Sequence, residues 1–540
     1  YEKLCDFLKN NFANPSSLHS IGFEAEKELI EARKKVANAL NVTPDEIYFT
    51  SGGTEANNTA VLGIAEAYKK RGNKVITSNI EHPSVADSFK ELEARGFEVV
   101  TLNADEKGYI NLEELEREES VGTEVTVEGM VHSIRDMGEI SFVILRSRDG
   151  LLQTVIQAGS EKEVLSEIRE GQAVRVTGTV FKEERAPHGI EIHLADARIL
   201  SKPEEPMPIA IDKWKLPTSL EANLNRRAIA LRNVRERAKF RIQEGICRGF
   251  REFMTSQGFT EIHTPKIGAK SAEGGANLFK LQYFHRPAVL AQSPQFYKQM
   301  MVGVFDRVFE TGPVFRAEKH NTKRHLNEYT SLDFEMGFID SFMDICKMET
   351  AMLQYVIELL KKDYAKEVAL LKIELPNVEK IPFVRFDEAK RLIAEKYDRQ
   401  IRSPHDLEPE EEALIGEYFK SEYGADFVFV THYPSKKRPF YAMDDPENKE
   451  FTLSFDLLFR GLEITTGGQR IHDYETLLKK IAEKGMDIEG MEDYLDCFKY
   501  GMPPHGGLGI GLERLTMKMI GEDNVREACL FPRDMTRLKP

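Results

Sequence analysis

Residues 309–338 are the most restrictive stretch of the sequence, because they predict two strands joined by a strongly charged loop. An apolar strand leads to Arg316, and a second strand returns through Tyr329 and Phe334. The intervening loop carries Glu318, Lys319, His320, Lys323, Arg324 and His325. Guanidinium groups pair bidentately with phosphate, so a hairpin with cations at its tip suits a polyanion such as a nucleoside triphosphate. A solvated loop with ordinary surface charges is the alternative for this stretch taken alone.

A second informative stretch is the glycine-rich segment HGGLGIGLERLTMKMIG, residues 505–521. It predicts a strand that opens into an amphipathic helix carrying Glu513 and Arg514, and its glycines would let the backbone approach a flat ligand closely. The charged hairpin and this segment together resemble motifs 2 and 3 of class II aminoacyl-tRNA synthetases. The helix predicted over 241–259 and the strand that ends at Pro265 resemble motif 1, which forms the dimer interface in that class.

Within that class the sequence closely resembles aspartyl-tRNA synthetases, especially the archaeal-type group that also occurs in bacteria. The resemblance covers about residues 120–540. It implies an ATP- and Mg²⁺-dependent ligase that forms aspartyl-adenylate, transfers aspartate to tRNA and acts as a homodimer. The strings that carry it are SAEGGANLF (271–279), AQSPQFYKQMM (291–301), RAEKHNTKRHLNE (316–328), SFDLLFRGLEITTGGQRIHD (454–473), GMPPHGGLGIGLERL (501–515) and LFPRD (530–534).

The family's ATP-binding roles fall on matching positions of these strings. By resemblance, Arg316 holds the α-phosphate and acts with Arg514 in catalysis, and adenine lies between Tyr329 and the Arg514 guanidinium. The family often has Phe at the Tyr329 position, so Tyr is a departure. Two carboxylates facing a triphosphate suit a hard cation with oxygen ligands. The other expected residues are Glu318 for the adenine amino group, Arg324 and His325 for the outer phosphates, Glu463 for ATP, and Asp456 with Glu463 for Mg²⁺.

The resemblance also implies an aspartate pocket. Lys298 and Arg470 would supply two cations for the side-chain carboxylate, which favours aspartate over neutral asparagine. Gln295 and Glu273 would bind the α-amino group, with Glu273 on a loop that closes over the substrate. His472 and Asp473 would continue the pocket wall. Asparaginyl-tRNA synthetases are the nearest relatives of this family and are the alternative, but they lack the Lys of the QSPQ-x-x-K segment.

From Gly122 to about Leu200 the pattern changes to about five short strands, which predicts a small closed barrel such as an OB-fold. Arg135, Phe142 and Gln153 occupy the spacing at which the family reads anticodon bases. An aromatic platform with nearby polar side chains is a common way to bind single-stranded RNA. Without the family match, Phe142 could equally be a barrel core residue.

Two barrel positions bear on which tRNA is read. His132 and Pro187 stand where enzymes strict for tRNA(Asp) resemble one another in having Trp and Lys. The His and Pro pair resembles non-discriminating enzymes, which accept both tRNA(Asp) and tRNA(Asn). The resemblance therefore implies that Asp-tRNA(Asn) is also made, which is the substrate of a tRNA-dependent amidotransferase.

Residues 1–116 differ from the rest of the chain, because their helices and strands alternate as in a parallel α/β layer. EIYFT (46–50) predicts one short buried strand there. The segment resembles part of a cysteine desulfurase, a PLP enzyme of fold type I, in NPSSLHSIG (14–22), FTSGGTEANN (49–58) and IEHPSV (80–85). In that family the Thr54 position binds the PLP phosphate and the His82 position stacks on the ring. The segment ends before the Schiff-base lysine, so PLP and desulfurase activity are not expected.

Composition bounds the remaining possibilities. The formal net charge of −15 argues at first sight against a nucleic-acid partner, but residues 1–116 hold 13 Lys/Arg against 20 Asp/Glu and account for nearly half of it. The five cysteines are far apart, which favours a reducing compartment. No apolar run approaches the roughly 20 residues that span a bilayer. We therefore expect a cytoplasmic protein with no membrane partner.

The predicted fold class is α+β: an OB-fold barrel and a class II antiparallel-sheet catalytic domain, preceded by a partial α/β segment. The expected domains are 1–116 (desulfurase-like, inactive), 117–201 (anticodon-binding), 202–225 (linker) and 226–540 (catalytic). Alternatives are an asparaginyl enzyme, a PLP-linked sulfur-transfer or scaffold protein, and a paralogue that adenylates without tRNA. The N-terminal segment could be a natural fusion, a docking module or an artefact of gene assembly.

Overall fold

The computed structural model describes residues 9, 13–17, 19–102, 121–138, 140–148, 150–157, 167–272, 277–319 and 322–539. They divide into two compact units, Tyr1–Pro206 and Met207–Pro540. The predicted boundary at 116/117 falls outside the described residues, and the four domain boundaries stay predictions. In the described part of the chain, no helix has the length and apolar character required to cross a membrane.

The N-terminal part of the first unit is a small α/β layer around a two-stranded parallel sheet. The first helix ends at Asn41, which adopts the left-handed conformation (φ 56°) that often terminates helices. The strand predicted at 46–50 is wrong: 44–46 is a 3₁₀ turn and Tyr48 is 79% exposed. No described neighbouring strand pairs with it. The elements are α1 (Ser20–Leu40), α2 (Gly53–Tyr68), β1 (Lys74–Ser78), α3 (Pro83–Ala94) and β2 (Glu98–Leu102).

The rest of the first unit is the closed five-stranded barrel that the strand pattern predicted. Its strands follow the order β3-β4-β5-β7-β6. Alternate apolar side chains such as Val143 and Leu145 point inward and form its core, so their neighbours at even positions of β4 face outward. The strands are β3 (Glu124–Asp136), β4 (Ile140–Arg146), β5 (Leu151–Gln157), β6 (Ala173–Lys182) and β7 (Ile190–Ser201).

The second unit is built on an eight-stranded, mostly antiparallel sheet in the order β14-β15-β16-β17-β18-β13-β12-β8. Gly507 in β18 lies against β13 so closely that an added Cβ would come within 2.1 Å of the Phe334 carbonyl oxygen. Strand packing thus explains this glycine. The strands are β8 (Thr260–Glu261), β12 (Arg307–Phe315), β13 (Glu328–Gly337), β14 (Phe383–Arg385), β15 (Phe427–Thr431), β16 (Ser454–Phe459), β17 (Leu462–Gln469) and β18 (His505–Gly511). A small sheet pairs β9 (Ile267–Gly268), β10 (Lys280–Tyr283) and β11 (Arg286–Leu290).

Helices cover this sheet and bury its main apolar core, which includes Phe250, Phe334, Leu353 and Phe455. The helix predicted at 241–259 corresponds to α6 (Val234–Ser256), which begins seven residues earlier and ends three residues earlier than predicted, and its Gly249 allows close approach to Val356 of α8 (Phe342–Asp363). The helices are α4 (Leu220–Asn225), α5 (Arg227–Ala230), α6 (Val234–Ser256), α7 (Gln295–Phe305), α8 (Phe342–Asp363), α9 (Ala365–Leu371), α10 (Phe386–Tyr397), α11 (Pro409–Tyr423), α12 (Tyr474–Glu483), α13 (Glu492–Lys499) and α14 (Leu512–Met519).

Candidate active site

The sheet of the second unit carries a cavity of about 400 Å³. The predicted ATP, aspartate and magnesium residues come from segments far apart in sequence, and the fold brings those it describes to this one cavity. Glu273 lies outside the described residues. The predicted residues that line the cavity are Gln295, Lys298, Arg316, Glu318, Arg324, His325, Tyr329, Asp456, Glu463, Arg470 and Arg514.

Two guanidinium groups are held in the predicted nucleotide half of the cavity. The Arg316 guanidinium carbon lies 5.8 Å from the centre of the Tyr329 ring. Arg514 stands in α14, directly after β18, and its Nε donates to the Arg324 carbonyl oxygen at 3.2 Å. Its Nη1 donates to the Glu463 carbonyl oxygen at 3.0 Å. These two backbone acceptors fix the plane of the Arg514 guanidinium.

The tip of the β12–β13 hairpin supplies two further basic groups. Burial, and next the nearby Arg514 guanidinium, lower the pKa of His325. Arg324 forms an ion pair with Glu412 of α11. Burial, and then Glu463, raise the pKa of Glu412 to about 7. Sequence reasoning missed Glu412, because it lies far from the charged hairpin in sequence and belongs to no motif.

Glu318, the residue expected to meet adenine, is held by neighbouring asparagines. Asn277 Nδ2 donates to Glu318 Oε2 at 3.2 Å. Asn327 Nδ2 donates to the carbonyl oxygens of Arg316 and Glu318 at 2.9 and 3.1 Å, which fixes the chain where the hairpin loop begins. Both asparagines stand in the family-like strings, so their position was available from sequence although their role was not.

Asp456 and Glu463 lie on neighbouring strands, β16 and β17. Arg438 Nη2 donates to Asp456 Oδ1 at 2.7 Å. Burial raises the pKa of Asp456 to about 6, with Arg438 opposing the rise and Glu463 adding to it. Burial also raises the pKa of Glu463, but Arg514, Arg316 and Arg438 outweigh that effect and leave it lowered.

This carboxylate pair fits a hard divalent cation. Asp456 is buried and Glu463 half-buried, their carboxylates repel each other, and a charge of +2 would stabilise them both. Mg²⁺ prefers such oxygen ligands. Over the part of the chain that the structure describes, no three His, Cys, Asp or Glu side chains are grouped to hold a metal. Phosphate and water oxygens would therefore have to complete the coordination shell.

The predicted aspartate pocket contains two carboxylates besides its two cations. Lys298 Nζ lies 2.9 Å from Asp333 Oδ1 and 3.4 Å from Glu335 Oε2. Arg470 Nε donates to Glu335 Oε1 at 2.8 Å. Burial raises the pKa of Glu335, but Arg470 and Lys298 outweigh it and leave that pKa lowered. Asp333 and Glu335 are alternate residues of β13 and share one face of the sheet, a pattern that could have revealed them in the sequence.

Gln295 begins α7 and its position is fixed by a buried polar chain. Its Nε2 donates to Gln299 Oε1 at 3.0 Å, and the Tyr494 hydroxyl donates to the same oxygen at 3.1 Å. His472 and Asp473, which were expected to continue the pocket wall, are not among the residues that line the cavity. Asp473 instead caps α12 by accepting from the Thr476 amide at 2.8 Å.

The predicted anticodon residues share the outer face of the barrel. Arg135 of β3 is directly opposite Phe142 of β4, and Gln153 of β5 is opposite Ile144, on the same face of β4 as Phe142. Phe142 is half-buried and is absent from the barrel core, which weakens its interpretation as a core residue. Gln153 Nε2 donates to Glu191 Oε2 at 2.8 Å, so this face also carries an acidic group that sequence reasoning missed.

The two positions linked to tRNA(Asn) differ in exposure. His132 is buried where the β3–β4 register shifts between Val131 and Ser133, the mark of a bulge. Pro187 is half-buried in a 3₁₀ turn, Pro187–Gly189, that joins β6 to β7. His132 is thus a buried residue of β3, whereas Pro187 stands in a surface connection.

Comparison with known proteins decides the family. The family model for tRNA synthetases class II (D, K and N) matches residues 219–535. The aspartate–tRNA(Asp/Asn) ligase of Thermus thermophilus is 47% identical over 421 residues, which cover 78% of this chain and 97% of that protein. The chain belongs to the aspartate–tRNA ligase family. It is therefore a class II aminoacyl-tRNA synthetase, from a family that uses ATP and Mg²⁺.

Other matches agree with this assignment. The aspartate–tRNA(Asp) ligase of Pyrococcus abyssi is 41% identical and covers 78% of the synthetase and 98% of its own length. The structure of asparaginyl-tRNA synthetase from Pyrococcus horikoshii with asparaginyl-adenylate superposes with a TM-score of 0.72 at 32% identity, covering 79% of this chain and 98% of that one. Aspartyl-tRNA synthetase from Entamoeba histolytica gives 0.71 at 31% identity, covering 86% and 96%.

Two further family models match the first unit. The OB-fold nucleic acid binding domain matches residues 125–200, which confirms the anticodon-binding type of barrel. The class-V aminotransferase model matches residues 1–135. In that region Thr54 lies in the first turn of α2, and His82 caps α3 by accepting from the Ser84 amide at 3.2 Å.

Proposed function

We propose that the synthetase activates L-aspartate with ATP and transfers it to tRNA(Asp) and tRNA(Asn). The observation that carries this is that Lys298 and Arg470 both line the cavity that also contains the cations proposed to bind ATP, and that Asp333 and the buried Glu335 hold these two side chains in place. Lys and Arg side chains only donate hydrogen bonds. They therefore match the side-chain carboxylate of aspartate, which only accepts. The side-chain NH₂ of asparagine is itself a donor and would face these donors unfavourably. The pocket therefore favours aspartate.

The chemistry needs positioning more than proton transfer. The aspartate α-carboxylate is already a nucleophile and attacks the α-phosphorus, with pyrophosphate as the leaving group. Arg316 would neutralise the charge that develops on the α-phosphate, and Arg514 would hold adenine against Tyr329. Arg324 and His325 would donate to the outer phosphates. Groups fixed before reaction lower the barrier because they need no reorganisation.

Four residues would hold Mg²⁺ and the aspartate α-amino group. Asp456 and Glu463 would ligate Mg²⁺, which neutralises the charge of the bound triphosphate. Gln295 would accept from the α-amino group of aspartate, together with Glu273 of the loop outside the described residues. The fixed hydrogen bond from Gln295 to Gln299 supports this role, because it leaves the Gln295 side chain in one orientation.

The tRNA range is proposed from the barrel. Arg135, Phe142 and Gln153 would bind the anticodon on their shared outer face, and His132 with Pro187 would permit the third anticodon base of both tRNAs. Two relatives that are named aspartate–tRNA(Asp/Asn) ligase support this range. Asp-tRNA(Asn) would then be amidated by a tRNA-dependent amidotransferase. A homodimer formed through α6 and the following strand completes the proposal.

ATP–pyrophosphate exchange tests the amino-acid assignment directly. We expect aspartate to support exchange in the presence of Mg²⁺ and asparagine not to do so at equal concentration. Exchange with asparagine and not with aspartate would replace the proposal with an asparaginyl enzyme, whose fold is the same.

A further inference from the structure

A chain of buried polar side chains leads from the cavity into the interior of the second unit. Gln295, Gln299, Tyr494 and His505 are each no more than 3% exposed. Gln299 follows Gln295 by one turn of α7, and its Oε1 accepts from Gln295 Nε2 and from the Tyr494 hydroxyl at 3.0 and 3.1 Å. Its Nε2 lies 2.9 Å from Nε2 of His505, the first residue of β18. We call Gln295, Gln299 and His505 the amide relay.

The far end of the amide relay fixes the position of the proton on His505. Nδ1 of this histidine lies 2.9 Å from the Pro503 carbonyl oxygen. A carbonyl oxygen only accepts, so Nδ1 carries the proton. Burial is the largest influence on the pKa of His505 and lowers it to about 4, although Glu335 raises it. The imidazole is therefore neutral at pH 7, and its Nε2 is an acceptor.

The acceptor on His505 decides how both glutamine amides are turned. Gln299 must direct its NH₂ group at His505 Nε2, because its amide oxygen would face another acceptor there. Its Oε1 then faces Gln295, which donates to it through Nε2. Gln295 lines the cavity, and the amide atom that it keeps as an acceptor for a substrate is Oε1. A turned Gln299 would reverse each of these steps and leave Gln295 to offer an NH₂ group.

This orientation determines the kind of group that Gln295 can bind. An amide oxygen accepts from an ammonium group, whereas an amide NH₂ only donates and would oppose it. A hydrogen bond to a charged group is stronger than one between neutral groups. Because each member of the amide relay is buried, water cannot readily compensate for an amide that is turned the wrong way.

We propose that Gln299 and His505 are positioning residues, which hold the Gln295 amide oxygen toward the α-amino group of aspartate. The inference rests on the proposed function, in which Gln295 binds that group. Neither Gln299 nor His505 is among the residues that line the cavity, so each acts through the next member of the amide relay. The relay therefore serves recognition of the amino group and leaves the two carboxylates of the substrate to other side chains.

Succinate tests the proposal, because it is aspartate without the α-amino group. The KM for aspartate is measured in ATP–pyrophosphate exchange, and the inhibition constant of succinate is measured in the same assay. Gln299→Met should raise the KM for aspartate by about tenfold or more, since a hydrogen bond to a charged group is lost. The succinate constant and the KM for ATP should stay within about twofold. His505→Leu should cause the same selective loss.

Two further variants separate orientation from packing. Gln299→Glu still offers an oxygen to Gln295 and can pair with a protonated His505, so it should keep the preference for aspartate over succinate despite its buried charge. Gln354→Met is the matched control. The half-buried Gln354 of α8 donates to the Val378 carbonyl oxygen at 2.9 Å and is not among the residues that line the cavity. This variant should leave both constants unchanged.

Exchange and inhibition together distinguish the possible failures. Equal weakening of aspartate and succinate in Gln299→Met, or no change in either, would overturn the proposal and leave the proposed function standing. Where Gln299→Met does not fold, loss of the preference for aspartate in Gln299→Glu overturns it. Absence of aspartate-dependent exchange in the unmodified protein refutes the proposed function itself.

Discussion

Lys298 and Arg470 reach the aspartate pocket already paired with carboxylates. Lys298 contacts Asp333 and Glu335, and Arg470 contacts Glu335, all of them buried. The four charges balance, so none of them is an isolated buried ion with its large desolvation cost. The carboxylates also hold each N–H group in one direction before substrate arrives.

Replacing Lys298 separates the pocket's stability from its binding role. Lys298→Met should raise the KM for aspartate at least about tenfold, because one charge-assisted donor to the substrate is lost. It should also lower the free energy of unfolding by about 3 kcal/mol, since Asp333 is left without its cation. Lys298→Met with Asp333→Asn should recover stability and leave the high KM. An unchanged KM in either variant would contradict the assignment.

Glu349 gives the catalytic domain a pH-dependent stability. It is buried in α8, and its Oε1 accepts from Thr465 Oγ1 of β17 at 2.6 Å. Burial raises its pKa from the ordinary 4.5 to about 8. Between those values the folded state binds a proton that the unfolded state releases. Stability is therefore complete below the lower value and falls as the pH rises toward the upper one.

Glu349→Gln tests this titration, because the amide stays neutral at every pH. In the unmodified protein the free energy of unfolding should fall by about 1–2 kcal/mol between pH 6 and 8, at about 1.4 kcal/mol per pH unit at most. The variant should lose most of this slope in chemical denaturation at the two pH values. Equal slopes in both proteins would show that Glu349 is charged in the folded state.

At the scale of elements, local sequence patterns predicted many of the strands and helices. They did not predict which residues distant in sequence would come into contact. The charged hairpin and the glycine-rich strand appear as β12, β13 and β18, adjacent in the sheet. The strand predicted at 46–50 failed because an apolar run becomes a strand only beside a partner strand. The bulge at His132 and the pairing of Arg324 with Glu412 were likewise beyond prediction, since both depend on which distant residues the fold brings near.

The barrel face provides an element-scale prediction. Phe142→Ala should lower kcat/KM for tRNA charging by about tenfold or more, because a base loses its stacking platform. Aspartate-dependent exchange should stay unchanged, since the adenylating cavity lies in the other unit. Thr126→Ala, on an exposed part of the neighbouring strand β3, is the control. Equal charging by Phe142→Ala and the control would remove Phe142 from the anticodon site.

At the scale of the whole molecule, residues 1–116 resemble a different family from the rest of the chain. Their described strands form a two-stranded sheet with an apolar core built around Leu92 and Phe97. Tyr48, Phe23 and Ile64 are more than half exposed. The segment also holds much of the acidity that made the net charge a poor guide to partners. The charge of the cavity was the better guide.

Deletion of residues 1–116 should leave charging intact. The truncated protein keeps the barrel and the catalytic domain, which together match nearly the full length of the ligase relatives. We expect kcat and KM for aspartate and tRNA to stay within about twofold of the full chain, with improved solubility because exposed apolar surface is removed. Loss of charging by a folded truncation would assign the segment a functional part in the enzyme.

Charging of separate tRNA transcripts is the most direct test of the central claim. Purified full-length protein, ATP and Mg²⁺ are incubated with labelled aspartate or asparagine and with a tRNA(Asp) or tRNA(Asn) transcript. The account predicts aspartate on both transcripts and asparagine on neither. Aspartate on tRNA(Asp) alone would contradict the proposed tRNA range, and asparagine on tRNA(Asn) without aspartate on either would contradict the central claim.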